Sequence, residues 1–420
     1  MRPAQKGDRP PRRAFRGDLF ALLACTALLS PGPAQARGQD GALSASKSPP
    51  AAAKPAMPSR PARLAHRPAP LLPKGRTENV ILITVDGLRI QELFGGMDPI
   101  VSENDKRSGI YDIERARKLY DRPTPEERRL ALMPFFWQTL APQGVVLGDR
   151  DKGSRVVVTN GLNFSAPGYA EILTGQPQSE IRSNEVRHAP RPTVLEHVQQ
   201  ALGLTTRQVA TFGSWKGFEG LSSMRDRPFF TNAGYEKVPS ALATPKMALL
   251  NDLQFQVMAL WEEGRSDAIT FGLALEYLRS QRPRLLYIAL GEPDDWAHAR
   301  RYDRLLDYLH VLDGYLDELW KTLQRSESYR GKTTLILTTD HGRGIRPSDW
   351  VEHGEGIEGS EDIWVAIIGP DTPHLGELAP APTAHQADIA ATLLQFFRLD
   401  PAGFNREAGP PIPGTYTPRP

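Results

Sequence analysis

Three short apolar runs in this chain each end on a carboxylate, and two of them add a histidine. Residues 80–85 run into Asp86-Gly87. Residues 285–290 precede Glu292-Pro293-Asp294-Asp295-Trp296-Ala297-His298, and residues 335–337 precede Thr338-Thr339-Asp340-His341-Gly342. Uniformly apolar runs of this length read as buried strands, and the carboxyl edge of an open α/β sheet is where ligands bind. Carboxylate with imidazole is a ligand set for zinc and similar divalent cations. The chemistry implied is that of a metal-dependent hydrolase with two metals.

The elements that must hold these residues alternate between strand and helix. Residues 156–158 read as a strand returning to the centre, and 209–212 and 363–368 as further strands. Residues 195–202, 266–279 and 387–397 read as helices. Residues 302–323 carry leucines at 305, 306, 309, 312, 316, 319 and 323, the spacing of an amphipathic helix packed on a sheet. Residues 124–140 open like a capped helix (Thr124, Pro125, then two glutamates) that Pro134 should kink or divide. Strands without polar alternation, interleaved with helices, predict a mostly parallel sheet covered on both faces.

The chain has 420 residues, enough for one large α/β domain or two ordinary ones. Its net charge of +2 hides an asymmetry, because residues 1–76 hold 14 basic against 3 acidic side chains and the remainder is acidic by nine. The basic average is therefore no sign of a nucleic-acid-binding module. Arg9, Arg12, Arg13 and Arg16 precede an apolar stretch at 19–29, too short to span a bilayer, and Ala34-Gln35-Ala36 offers a cleavage site. Residues 1–36 thus read as an export signal, with Arg12-Arg13 resembling a twin-arginine form, and the chain as periplasmic or secreted. Cys25 suits a lipoprotein box less well, since few apolar residues precede it. Cleavage after Ala36 leaves a mature chain with no cysteine and no transmembrane helix. Residues 37–76, rich in Pro and Ala, read as a disordered linker, 77–400 as the hydrolase domain and 401–420 as a Pro-rich tail.

Taken singly, each motif has a plain structural explanation. Asp-His-Gly is commonly a turn, Asp294 and His298 are spaced as a helix-face pair, and Ser165 could be a helix cap. Taken in order, five pieces resemble the alkaline phosphatase superfamily over residues 78–400. They are Thr84-Val85-Asp86-Gly87, Asn163-Phe164-Ser165-Ala166-Pro167-Gly168-Tyr169 with Leu173-Thr174-Gly175 after it, Asp294 with His298, Asp340-His341-Gly342, and His353-Gly354. The resemblance implies an alkaline-phosphatase-like three-layer α/β/α sandwich and two divalent metals, zinc with manganese as the alternative. One metal would take Asp294, His298 and His353. The other would take Asp86, Asp340, His341 and the oxygen of Ser165, the nucleophile. His385 reads as a capping or supporting residue, since that ligand set is already full.

Within the superfamily, sulfatases resemble this pattern but carry Arg where this chain has Tyr169. Phosphoglycerate mutases carry a large inserted domain, for which the 129 positions from Ser165 to Asp294 leave little room. The Pro-Gly-Tyr turn is most similar to the nucleotide pyrophosphatase/phosphodiesterase branch. That likeness implies Asn184 on a phosphoryl oxygen. Separately, Lys216 in Gly213-Ser214-Trp215-Lys216 reads as a further anion contact or as an ordinary exposed lysine. The expected activity is hydrolysis of a small-molecule phosphate ester, mono- or diester, through a phosphoserine. The rival expectation is a non-catalytic descendant that only binds.

Overall fold

The computed structural model describes residues 76–418. The export signal and all but the last residue of the linker read from the sequence lie outside them. Eleven strands follow in chain order: β1 (Asn79–Val85), β2 (Gly144–Leu147), β3 (Val156–Val157), β4 (Val209–Gly213), β5 (Phe230–Ala233), β6 (Leu285–Leu290), β7 (Thr333–Thr338), β8 (Asp362–Ile363), β9 (Val365–Ile368), β10 (Gly376–Glu377) and β11 (Ala384–His385). Eight of them form one sheet in the order β10-β2-β9-β7-β1-β6-β4-β5. The run β7-β1-β6-β4-β5 is parallel throughout, and β9 is antiparallel to both β7 and β2.

β1 shows why both faces are covered. Its seven residues are all buried. Ile81, Ile83 and Val85 join one apolar cluster while Val80 and Leu82 join another, because successive side chains leave a strand on opposite faces. The first cluster is closed by the helices Asp267–Gln281 and Tyr302–Arg325, and the second by Ser165–Thr174, Val194–Ala201 and Asp388–Phe396. The long helix inserts the leucines expected of it, from Leu305 to Leu323. Each fully buried leucine is worth about 1.5–3 kcal/mol of apolar transfer.

Several local expectations change. Residues 156–158 do not return to the central sheet; Val156–Val157 pairs with β8 and β11 in a separate three-stranded sheet. The run at 363–368 is two strands in two sheets, divided at Trp364, whose buried indole N–H donates to the Leu88 carbonyl. The helix from Pro125 stops at Leu132, ahead of Pro134, and a π-helical turn, Phe136–Leu140, follows. The Pro-rich end packs onto the domain as far as residue 418: Ile412 is buried in the second cluster, and the Tyr416 ring meets Phe396 edge-on. Among the described residues no helix is long and apolar enough to cross a membrane.

Candidate metal centre and nucleophile

β7, β1 and β6 lie side by side and parallel, so their carboxyl ends bring Asp340, Asp86 and Asp294 to one edge. Two clusters of ligand atoms result, Asp86–Asp340–His341 and Asp294–His298–His353. In the first, His341 Nε2 lies 3.3 Å from Asp86 Oδ1 and 3.4 Å from Asp340 Oδ2. All three atoms are buried and none makes a hydrogen bond. Leaving such atoms unpaired costs about 1–3 kcal/mol each, and lone pairs converging on one point are what a cation satisfies. In the second cluster, His298 Nε2 is 3.0 Å from His353 Nε2 and 3.3 Å from Asp294 Oδ2. His341 Nε2 also stands 3.8 Å from Asp294 Oδ1, and the rings of His341 and His353 stack with centroids 4.0 Å apart, so the clusters adjoin.

The imidazoles are set up as ligands. The Nδ1 atoms of His341 and His353 face the carbonyls of Gly342 and Asn163, at 2.9 and 3.3 Å. A carbonyl only accepts, so Nδ1 carries the proton and Nε2 keeps its lone pair for the cluster. Burial, reinforced by His341, Arg343 and His298, holds His353 far below the usual histidine range and thus neutral. Burial also works against charge on His341, but Asp340 and Asp86 outweigh it and raise it to about 9. Burial, then the charge of Asp86, pushes Asp340 up to about 8. This cluster therefore favours holding protons, which a bound cation would displace.

Ser165 opens the helix Ser165–Thr174 and is nearly buried; its hydroxyl makes no hydrogen bond among the described residues. The helix meets the metal centre at Gly168, where a Cβ would collide with the Asp340 carbonyl oxygen. Gly87, at φ +60°, allows a similar approach, since a Cβ there would lie 2.7 Å from Asp294 Oδ1. Asn184 Oδ1 accepts from the Ala166 N–H at 3.1 Å, beside Ser165. Asp86, Ser165, Asn184, Asp294, His298 and His353 all line one cavity of about 720 Å³. Lys216 does not: its side chain is exposed, and its neighbour Trp215 takes the wall position. His385 lies outside both clusters and 3.6 Å from Asp388; the neighbouring Gln386 instead donates to the Asp340 carbonyl at 2.6 Å.

Three supporting residues escaped sequence reasoning. The Tyr169 hydroxyl donates to Asp86 Oδ2 at 2.9 Å, leaving Oδ1 for the cluster. Glu171, buried in the same helix, accepts from the backbone and side chains of Thr159 and Asn160. Asn160 in turn accepts from the Asn163 N–H, and the Asn163 carbonyl orients His353. Fully buried Arg343 bonds Asp294 Oδ1 and the Val351 carbonyl, and burial lowers it to about 9. Its place directly after Asp340-His341-Gly342 is the one signal that could have marked it. Tyr169→Phe should weaken metal binding about 10–100-fold, the usual effect of deleting a hydrogen bond to a ligand. Competition with a chromogenic chelator measures this, and an unchanged affinity would show that Asp86 needs no such support.

The geometry can be set beside known proteins. Residues 110–357 match the family model described as type I phosphodiesterase / nucleotide pyrophosphatase, a span that includes Ser165 and every cluster residue except Asp86. No curated protein matches the sequence. Among solved structures, the chain is similar to a Bacteroides thetaiotaomicron VPI-5482 protein described as a sulfatase, at 14% identity and a TM-score of 0.51, over 80% of this chain and 74% of that one. It is also similar to a phosphonate monoester hydrolase from Silicibacter pomeroyi, at 12% identity and a TM-score of 0.47, over 80% and 76%. At 14% identity the likeness to the Bacteroides protein is one of fold.

Proposed function

This chain belongs to the type I phosphodiesterase / nucleotide pyrophosphatase family of the alkaline phosphatase superfamily, and we propose that it hydrolyses phosphoric esters with two divalent metal ions and Ser165 as nucleophile. The observation that carries this reading is the set of unpaired, buried ligand atoms on Asp86, Asp340 and His341, beside a cavity that also exposes Ser165. Asp294, His298 and His353 would hold one cation, and Asp86, Asp340, His341 and Ser165 the other. Zinc suits the mixed nitrogen and oxygen donors, and manganese is the alternative. When bound, the cations would lower the proton affinity of the Ser165 hydroxyl and of a water, and offset charge on the phosphoryl oxygens.

The chain's own groups do the rest. Ser165 Oγ attacks phosphorus in line, and the ester oxygen opposite leaves with the bonding electrons. Water then attacks the phosphoserine and frees the serine oxygen. The helix N-terminus under Ser165 favours an anionic group there. With its amide oxygen occupied by Ala166, Asn184 keeps its NH₂ group for a phosphoryl oxygen. The substrate is a small-molecule ester, met outside the cytoplasm if residues 1–36 act as an export signal. Sulfate esters are the second reading, favoured by the likeness in fold to the Bacteroides protein. Against it, the position where sulfatases resemble this chain but carry Arg holds Tyr169, whose hydroxyl is committed to Asp86.

Parallel assays on p-nitrophenyl phosphate, bis-p-nitrophenyl phosphate and p-nitrophenyl sulfate test this. A phosphate ester should be cleaved fastest. Cleavage of the sulfate alone would overturn the phosphate assignment, and no cleavage of any would favour a binding protein.

A further inference from the structure

The central sheet is polarised. Its carboxyl edge carries the two ligand clusters, whereas its amino edge is basic. In the contiguous parallel strands β7-β1-β6-β4, Asn79 pairs with Thr333, and Leu285 with both Val80 and Val209, so the four segments that enter these strands lie level along one edge. Arg330 and Lys332 lead into β7, Arg76 into β1, Arg282 and Arg284 into β6, and Arg207 into β4. The acidic residues of these segments (76–78, 205–208, 282–284 and 326–332) are Glu78 and Glu327. Arg282 also lines a cavity of about 280 Å³ with Arg279, Arg325, Thr322 and Ser326. Helix ends explain part of this, since arginine in a last turn offsets the helix dipole, as Arg279 and Arg325 do. They do not explain Arg76, Arg207 and Arg330, which lie in loops. The side chains of these three, and of Arg282 and Arg325, are exposed and make no ion pair or hydrogen bond among the described residues.

The rest of the chain beyond residue 76 is acidic by nine, so this concentration of positive charge is local. The chain also enters the domain here. Residues 37–75, with seven basic side chains and one acidic, join Arg76 at this same edge. We propose that the amino edge docks on a membrane surface rich in anionic phospholipid, with the cavity beside Ser165 facing away from the lipid. Unpaired arginines spread along one edge are attracted by many headgroup phosphates at once, and the attraction acts within a Debye length. The acidic remainder of the domain is repelled by the same surface, which fixes the edge that meets it. Nucleic acid fits less well. Single-strand binders set exposed aromatic rings in a basic groove to stack bases, and the large exposed aromatics among the described residues, Tyr111, Phe255 and Trp261, lie outside these segments.

Cosedimentation of the full chain with vesicles tests this, comparing phosphatidylglycerol mixed into phosphatidylcholine with phosphatidylcholine alone. Both vesicles offer the same hydrocarbon, so the ratio of the two partition coefficients isolates charge. The anionic vesicles should be preferred at low salt and the preference lost at high salt. Each arginine near the surface is worth about fivefold in partition. Arg207→Gln/Arg282→Gln/Arg325→Gln/Arg330→Gln should therefore lower the ratio about a hundredfold or more. The variant Arg107→Gln/Lys118→Gln/Arg122→Gln/Arg346→Gln removes as much charge from other exposed positions and should bind like wild type. Neutralising the seven basic residues of 37–75 should weaken binding but preserve the difference between these two variants. Unfolding midpoints should stay near wild type, since none of the four edge arginines leaves a partner behind. Equal partition onto both vesicles, wild-type binding by the edge variant, or an equal loss in the charge-matched variant would overturn the proposal. Tighter binding to a DNA duplex than to the anionic vesicles would assign the edge to nucleic acid and overturn it as well.

Discussion

Ser165→Ala should reduce turnover on every phosphate ester the wild type cleaves by on the order of 10⁴–10⁶-fold, the loss seen when an activated nucleophile is removed from a preorganised site. The fold should be nearly unaffected. The Ser165 hydroxyl makes no hydrogen bond among the described residues, so its loss strands no partner and the change in stability should stay within about 1 kcal/mol. Metal content should also stay close to wild type, because the six carboxylate and imidazole ligands remain. Activity, unfolding midpoint and metal content measured on one preparation separate this outcome from simple damage. If Ser165→Ala keeps near wild-type rates, water attacks phosphorus directly and the serine has another role.

Asp340→Asn should be as damaging to activity for a different reason. Asp340 is fully buried; Oδ1 accepts the Gly87 N–H at 3.1 Å, which an amide oxygen can still do, and Oδ2 is one of the three unpaired atoms. The near-isosteric change should keep the backbone and remove the anion, so wild type should bind about two metals per chain and the variant about one. His353→Ala should lose the other. Binding to the folded state stabilises it by about 2.7 kcal/mol at a hundredfold excess over the dissociation constant. Saturating zinc should therefore raise the unfolding temperature less in Asp340→Asn than in wild type. Chelation should abolish wild-type activity and added zinc restore it. A chelated protein that remains fully active would remove the two-metal reading.

What the sequence made legible was local. Apolar runs without alternation marked β1, β6 and β7, and the residues just beyond them mark the metal edge, because a parallel sheet delivers all its carboxyl ends to one side. What it hid depends on contacts distant along the chain. β2 is four residues long and follows a π-helical and a 3₁₀ turn, too short for periodicity to register. Arg343 is buried against Asp294, 49 positions earlier, a contact no local pattern announces. Tyr169 meets Asp86 across 83 positions, with no local pattern to announce it. Lys216 looked like an anion contact from its neighbours in sequence, yet the turn after β4 points Trp215 into the cavity and leaves the lysine in solvent. Ile412 shows the same limit in the tail, where prolines suggested no packing and one buried isoleucine anchors the segment.

The most direct measurement is a rapid acid quench of the metal-loaded protein during turnover of a phosphate monoester, followed by peptide mass spectrometry. Acid halts hydrolysis of a phosphoserine while leaving the ester bond intact, so a covalent intermediate survives for mapping. Wild-type protein should carry added phosphate on the peptide containing Ser165, on that residue alone, appearing within a turnover and decaying as substrate is consumed. Phosphate should pass to an added alcohol at the same time. A fully active enzyme that never carries phosphate at Ser165 at any quench time, and transfers none to alcohol, would contradict the serine-nucleophile account.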